Sequence, residues 1–363
     1  MDDHSHFGAM FPPETVFQTI GDSTVPWRFS TLDEEYGALR SSTALFDLSG
    51  CGLVSVDGPD AEDVVGRLFT REVEFLTPET SSMGLLLDAH GRPIDIVTVF
   101  RTESGFLVET SVGRATSTIA HIEREAAGRV AVRDARSTTA MLGFEGPLAW
   151  ELAEAVIDDP ITGLPFQGVR PVTIGGTDAL VSRTGFTGEY GFKVMFPSRH
   201  AGTVWAKAAA QSVPAGHETL ETAMTEFRQP ILHRDAGNDE LSVIGIGANW
   251  LVDLEKADFL GRDSLLAERD AGADELPVCF VSDSDGLRVG TELGAHGEVL
   301  GHVVHVVFSP GLGTQCGIAR LHVDVASSGL VFEVLGTSAT VSTVSSPILI
   351  PASWGQLMSS RSG

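Results

Sequence analysis

Residues 182–193 read SRTGFTGEYGFK, and this stretch decides the fold. It joins the runs TDALVS and EYGFKVMFP, whose composition predicts two β-strands with a tight, glycine-rich connection. Gly185 and Gly188 allow a positive φ or a close approach of a ligand to the backbone. Glu189 follows directly, and its carboxylate offers two coplanar acceptors that match a planar ligand edge with two adjacent N–H donors. From the residues alone, the alternative is a glycine-rich hairpin whose glutamate lies in water.

The composition limits the class of protein. The chain has 363 residues, an apolar fraction of 42% and a net charge of −25, which predicts two or three domains with real cores. The acidity argues against nucleic-acid binding, which needs clustered Lys and Arg, and against binding to an anionic membrane. Cys51, Cys279 and Cys316 are far apart, so neither a disulfide framework nor a metal site is expected. Since no signal-peptide pattern or long apolar run occurs, we expect a soluble, cytoplasmic monomer.

Strand and helix patterns alternate irregularly as far as about residue 266, which predicts an α+β fold rather than a regular βαβ repeat. The first helix begins after Thr31, where Glu34 completes a capping box. Residues 267–277, AERDAGADELP, predict a linker. Short apolar runs rich in β-formers follow, with no long helix between them. This last part predicts a small separate β-barrel or sandwich.

The signature stretch resembles that of the glycine-cleavage T-protein (aminomethyltransferase) family, which reads R-T-G-[YF]-T-G-E-x-G-[FY]. NWLVDLEKADFLGRDSLL at 249–266 is similar to a second family block, W-x-V-x-L-x-K-x-D-F-x-G-R-x-x-L. GFEGPLAWELAEAV at 143–156 resembles the family's Q-G-P-x-A segment, with Glu145 where glutamine is usual. The resemblance covers nearly the whole chain, and the chain is identified as a divergent member. The signature residues that match are Arg183, Thr184, Gly185, Phe186, Thr187, Gly188, Glu189, Gly191 and Phe192.

The resemblance implies a fold of two related α+β folate-binding domains around a central channel, followed by a C-terminal β-barrel. We therefore expect a folate-binding region at 1–275, with interleaved subdomains at roughly 31–140 and 141–275, and a barrel domain at 276–363. The implied cofactor is tetrahydrofolate or a C1-substituted tetrahydrofolate. The implied activity is a one-carbon transfer, of a methyl or another C1 group, to or from a small metabolite.

The resemblance also implies the site residues. In the family, the glutamate of T-G-E pairs with the amino-pyrimidine edge of the pterin, and Glu189 takes this role here. Asp95 matches the first aspartate of the family strand G-G-[IL]-x-D-D-[LIV] and is the candidate catalytic residue. Ile96 occupies the second position, where the family has the aspartate that is credited with acting near the reactive folate nitrogens. The further cofactor-binding candidates are Arg183, Tyr190, Met83, Ile96 and Arg228.

The departures from the family pattern leave several alternatives open. Because neighbouring strand residues point to opposite faces, Asp95 replaces the missing aspartate only if a bulge shifts the register; otherwise it is an exposed strand residue. Tyr190 and His233 are other candidates for that role. The arginines of the family motif R-D-x-L-R-x-E are missing. Either Arg228 or His217 takes their place, or each of these two residues is a solvated helix side chain.

Two further functions remain open at this stage. One is a folate-binding protein without transferase activity. The other is a true glycine-cleavage aminomethyltransferase, which would have to dock an acidic lipoyl carrier. Electrostatic repulsion steers a chain of charge −25 away from such a partner, so the carrier is not expected to bind.

Overall fold

The computed structural model describes residues 5–235 and 242–355. Within these ranges, no helix is both long and apolar enough to cross a membrane. The α-helices are α1 (Leu32–Ser41), α2 (Ala61–Leu68), α3 (Ala115–Ala126), α4 (Ala149–Val156), α5 (Ala201–Ala209), α6 (His217–Phe227), α7 (Leu232–Asp235) and α8 (Arg262–Ala271).

The strands form a hairpin, two sheets and a barrel. The hairpin consists of β1 (Val16–Ile20) and β2 (Ser23–Arg28). The sheets contain β3 (Ala44–Asp47), β4 (Cys51–Asp57), β5 (Ser81–Leu87), β6 (Pro93–Arg101), β7 (Gly105–Val112), β8 (Ala131–Asp134), β9 (Thr139–Glu145), β10 (Val169–Ile174), β11 (Thr177–Ser182), β12 (Gly191–Pro197) and β13 (Val213–Pro214). The barrel contains β14 (Glu275–Ser282), β15 (Glu292–Ala295), β16 (Glu298–Ser309), β17 (Thr314–His322), β18 (Val331–Val334) and β19 (Thr340–Val344).

The two sheets draw on interleaved parts of the chain. One has the strand order β5-β6-β7-β4-β8, and the other has the order β10-β11-β12-β9-β3-β13. Strand β3 precedes the first sheet in sequence but pairs with β9 in the second sheet. The α+β prediction is confirmed, while the subdomain limits at 140 and 275 stay a prediction.

The two sheets face one another across a shared apolar layer. Leu53 and Phe100 of the five-stranded sheet pack in one cluster with Phe46 and Met141 of the six-stranded sheet. On its other side, the five-stranded sheet packs its alternate residues against α2 and α3, and the six-stranded sheet packs against α4 and α5. Helix α6 adds Leu220 to the shared layer, so it lies beside the space between the sheets.

The predicted barrel is confirmed as a closed six-stranded barrel, β14-β17-β16-β15-β18-β19. Closure pairs both edges of each of these six strands, so the barrel exposes no open sheet edge. Its interior is filled by alternating strand residues such as Phe280, Val303 and Leu321.

Residues 183–190, here called the signature loop, join β11 to β12 as the pattern predicts. The connection is longer than a two-residue hairpin turn. Gly188 has φ +78°, and a Cβ on it would lie 2.3 Å from a ring carbon of Phe227. Glycine is therefore required at this position both by the backbone conformation and by packing.

Candidate active site

Glu145, the last residue of β9, holds the signature loop in place. Its buried carboxylate accepts hydrogen bonds from the Phe186 backbone N–H at 2.9 Å and from the Thr187 hydroxyl at 2.6 Å. The loop packs closely against it, since a Cβ on Gly185 would lie 2.9 Å from its Oε2. Burial raises the pKa of Glu145 to about 7, although these hydrogen bonds oppose the rise.

The Glu189 carboxylate is buried and bound by the chain itself. The backbone N–H groups of Ala352 and Ser353 donate to it at 3.0 and 2.9 Å, and the Ser353 hydroxyl donates as well. Arg40 Nη1 donates to its Oε1 at 2.9 Å. The sequence predicts that the two oxygens of Glu189 accept from the N–H groups of a pterin edge. In the structure, the short helical turn Ala352–Gly355 supplies the two N–H groups instead. Glu189 joins the signature loop to the C-terminal part of the chain.

Arg40 extends this network to the barrel. Its Nη2 donates to Glu226 Oε2 at 2.6 Å, and the Tyr36 hydroxyl donates to the same carboxylate at 2.9 Å. The hydroxyl of Ser309, the last residue of β16, also donates to Glu226. Helices α1 and α6 are thereby fixed to the barrel beside the signature loop.

Two cavities adjoin the signature loop. The outer cavity has a volume of about 480 Å³, and the inner chamber has a volume of about 60 Å³. Met83 and Gln229 line both, and Gln229 Nε2 lies 3.4 Å from the Met83 sulfur. The cavities are therefore adjacent and are separated by this contact; the two together are here called the passage. The outer wall includes aromatic and cationic side chains: Phe166, Trp250, Trp354, Arg71 and Arg183.

A buried ion pair lies in the wall of the inner chamber. Lys193 Nζ donates to both carboxylate oxygens of Glu109, at 2.6 and 2.8 Å, and the two side chains are only 1% and 2% exposed. The ammonium group also lies 3.8 Å from the ring centroid of Phe186. Glu109 and Phe186 line the chamber. The bidentate contact and the ring compensate for removing two charges from water.

Helix α6 and the segment after it supply two histidines and a glutamate to the chamber. Glu221 accepts from His233 Nε2 at 2.8 Å and from Arg234 Nε at 2.9 Å. His217 is buried, and its Nε2 has no hydrogen-bond partner within residues 5–235 and 242–355. Burial lowers the pKa of His217 to about 4, while the Asp47 backbone carbonyl opposes this effect. The ring is therefore neutral at physiological pH.

Asp95 and Ile96 point to opposite faces of β6. Ile96 lines the inner chamber. Asp95 accepts from the Thr118 hydroxyl at 2.7 Å and from the Ser111 backbone N–H at 3.2 Å. Burial raises the pKa of Asp95 to about 6 despite these bonds. The structure thus corrects the prediction of Asp95 as a catalytic residue, because its carboxylate is turned toward α3 instead of the chamber.

The prediction of Arg228 as a cofactor-binding residue also requires a correction, because its side chain binds the protein and lines neither cavity. It ends α6 in the left-handed region with φ 71°, and its guanidinium donates to the Asp235 carboxylate at 2.9 Å and to the Ile246 backbone oxygen at 2.8 Å. These bonds anchor the segment after α6. The remaining predicted residues lie along the passage, and those of the outer cavity are Arg183, Glu189, Tyr190 and Met83.

Sequence reasoning missed the Lys193–Glu109 pair. One signal was available, because Lys193 stands between apolar residues in GFKVMF, and a lysine buried in a strand requires a charged partner. For His217, the sequence indicates only a replacement for a missing family arginine. Gln229 carries no signal beyond its place in the chain. Trp250 begins the second family block, but that block indicates the family and not a cavity.

The chain matches the family description "GCVT N-terminal domain" over residues 9–256. A protein of Moorella thermoacetica named aminomethyltransferase is 30% identical over 323 residues, which cover 87% of this chain and 88% of that protein. The aminomethyltransferase of Bacillus subtilis is 28% identical over 324 residues, which cover 87% of this chain and 89% of that protein.

One solved structure shares the architecture along almost its full length. The glycine cleavage system aminomethyltransferase T from Bartonella henselae superposes with a TM-score of 0.83, covering 93% of this chain and 95% of its own. The sequence identity is 22%, so this likeness concerns the fold alone.

Proposed function

We propose that this chain, which belongs to the glycine-cleavage T-protein family, is a tetrahydrofolate-dependent one-carbon transferase whose other substrate is a small metabolite. The observation that carries the proposal is the two-compartment passage. Its large outer cavity and small inner chamber meet at Met83 and Gln229. A long ligand with one compact reactive end and one larger tail matches such a passage.

The outer cavity suits the aminobenzoyl and glutamate parts of a folate. Exposed aromatic side chains are concentrated at it, including Phe166, Trp250 and Trp354, and such rings stack on an aromatic ligand. Arg71 and Arg183 place positive charge there in a chain that is strongly acidic overall. Arg71 Nε is buried without a hydrogen-bond partner in the described part of the chain. That donor is suited to an anionic group.

The inner chamber suits a neutral reacting group. Ile96 contributes an apolar side chain, and the Glu109 carboxylate is paired with Lys193. Glu221 is paired with His233 and Arg234. Tetrahydrofolate carries one-carbon units on N5 of its ring, on the neighbouring N10 of the aminobenzoyl group, or between the two. A methyl or similar uncharged group needs no free carboxylate in the chamber, which favours such a unit over an aminomethyl cation.

In this proposal, Arg183 and Tyr190 position the folate tail, Met83 lines the boundary between the two cavities, and Ile96 lines the chamber. Glu189 acts through the architecture, by holding the turn that closes one side of the outer cavity. The expectations of a monomer and of a cytoplasmic location stay predictions.

Binding of tetrahydrofolate by isothermal titration calorimetry tests the proposal. Phe166→Ala should weaken binding about three- to tenfold, as expected for the loss of one aromatic contact. Phe75→Ala is the matched control, because Phe75 is 78% exposed and Phe166 is 69% exposed, but Phe75 lies away from both cavities. Equal affinities of the two variants would remove the outer cavity from folate binding.

Aminomethyl transfer is a second candidate, favoured by the name of the relatives from Moorella thermoacetica and Bacillus subtilis. The product distinguishes the two candidates. Tetrahydrofolate is incubated with a methylated small-molecule donor in one arm and with an aminomethyl-lipoyl carrier in the other. Mass spectrometry then detects 5-methyltetrahydrofolate and the demethylated donor in the first arm, or 5,10-methylenetetrahydrofolate with release of ammonia and the dihydrolipoyl carrier in the second. Binding without any turnover would instead leave a folate-binding protein.

A further inference from the structure

We propose that His217 binds the reduced pteridine ring in the inner chamber, by accepting a hydrogen bond from one of its N–H groups. The inference deepens the proposed function and rests on it. It gives a chemical role to a residue whose position in the chamber the sequence did not predict.

The start of α6 determines where His217 lies. The residue before it, Gly216, packs directly on the backbone of β2, since a Cβ there would lie 2.1 Å from the Trp27 carbonyl oxygen. The helix therefore begins at a fixed place, and its first side chain, His217, is 3% exposed and lines the inner chamber. No rearrangement of the backbone is needed for this ring to reach a ligand in the chamber.

The ring of His217 has an unused acceptor. Its hydrogen-bond partner among the described residues is the Asp47 backbone carbonyl, which can engage only one protonated ring nitrogen, while Glu221 and His233 interact with the ring electrostatically. A neutral imidazole carries one proton, so the other nitrogen keeps a free lone pair. Leaving a buried acceptor without a partner is unfavourable, because the lone pair has lost its bond to water. A ligand that donates a hydrogen bond would recover this free energy.

The charges around the chamber favour a neutral donor. The carboxylates of Glu109 and Glu221 are already matched by Lys193 and Arg234. An ammonium ligand would need an unpaired carboxylate, and an anionic ligand would need a free cation. The described lining offers neither, whereas His217 offers a neutral acceptor. A ring N–H is the donor that this environment suits.

The size of the chamber agrees with this assignment. A volume of about 60 Å³ admits a few heavy atoms, such as one edge of a bicyclic ring. The rest of a folate requires the outer cavity, which the chamber joins at Met83 and Gln229.

The experiment measures affinities of the full chain for tetrahydrofolate and for folic acid by calorimetry. Folic acid lacks the hydrogens on N5 and N8 that the reduced ring carries, but it keeps the amino-pyrimidine N–H groups. His217→Leu should bind tetrahydrofolate about tenfold more weakly. His217→Gln should recover part of the loss, because the amide oxygen can accept. His121→Leu is the matched control: His121 is also buried and its Nε2 has no hydrogen-bond partner among the described residues, but it lies on α3, away from the chamber.

A loss confined to tetrahydrofolate would assign the bond to N5–H or N8–H, and an equal loss for both ligands would assign it to the amino-pyrimidine edge. Either result supports the inference. If wild type binds tetrahydrofolate and His217→Leu binds it equally well, the inference fails while the proposed function stands. If wild type binds no reduced folate, the proposed function fails as well. Should His217→Leu not fold, the same comparison is made with His217→Gln and His217→Phe.

Discussion

The pKa of Glu145 predicts a pH dependence of stability that one substitution should remove. Burial raises this pKa from 4.5 to about 7 in the folded chain. The unfolded chain therefore releases the proton first as the pH rises, and folding becomes less favourable between pH 4.5 and pH 7. At 1.36 kcal/mol per pH unit, the wild type should lose about 3 kcal/mol over this range through Glu145.

Glu145→Gln should abolish that loss. The glutamine oxygen can still accept from the Phe186 N–H, and its amide can donate to the Thr187 hydroxyl, which also accepts. Asp95, whose pKa is raised to about 6, adds a loss of the same sign. Because Asp95 is present in both proteins, its contribution cancels in their difference.

Urea denaturation at pH 5, 6, 7 and 7.5 provides the measurement. The free energy of unfolding of Glu145→Gln minus that of wild type should rise by about 2–3 kcal/mol from the lowest pH to the highest. The steepest part should lie between pH 5 and 7. A difference that stays constant with pH would refute the argument that the folded chain holds this carboxyl protonated.

Two other substitutions test the inner chamber. Lys193→Met should destabilise the protein by about 3–5 kcal/mol in urea denaturation, because it leaves Glu109 buried without a partner. The double variant Lys193→Met with Glu109→Leu should recover most of this loss. A double variant as unstable as the single one would contradict the argument. Ile96→Asp should increase aminomethyl transfer, measured as release of the C1 unit to tetrahydrofolate, if the missing carboxylate suppresses that reaction. Ile96→Asn is its uncharged control, and equal rates in the two variants would exclude a role for the charge.

The parts of the fold that depend on neighbouring residues alone could be predicted from the sequence. The glycines of the signature loop, the flanking β-strands and the strand-rich C-terminal region all follow from residue type and spacing. The alternation of side chains along a strand also predicted that Asp95 and Ile96 face opposite ways. The structure bears this out, since one lies against α3 and the other in the chamber.

The partners of Glu189 could not be predicted in the same way. Ser353 is 164 residues away along the chain, and Arg40 is 149 residues away on the other side. Such contacts depend on how α1 and the C-terminal turn pack, which no pattern near residue 189 encodes. The pairing of Lys193 with Glu109 across 84 residues is a second long-range contact of this kind.

The bonds of Glu189 have a consequence for how relatives of this chain are classified. The Glu189 carboxylate links α1 to the C-terminal turn. A residue with such a role is required by the fold, whatever reaction the enzyme performs. Where relatives bind this glutamate in the same way, searches for Thr-Gly-Glu group proteins by architecture and do not separate them by reaction. Separating them calls for comparing the positions that border the chamber, here occupied by Ile96, Glu109 and His217.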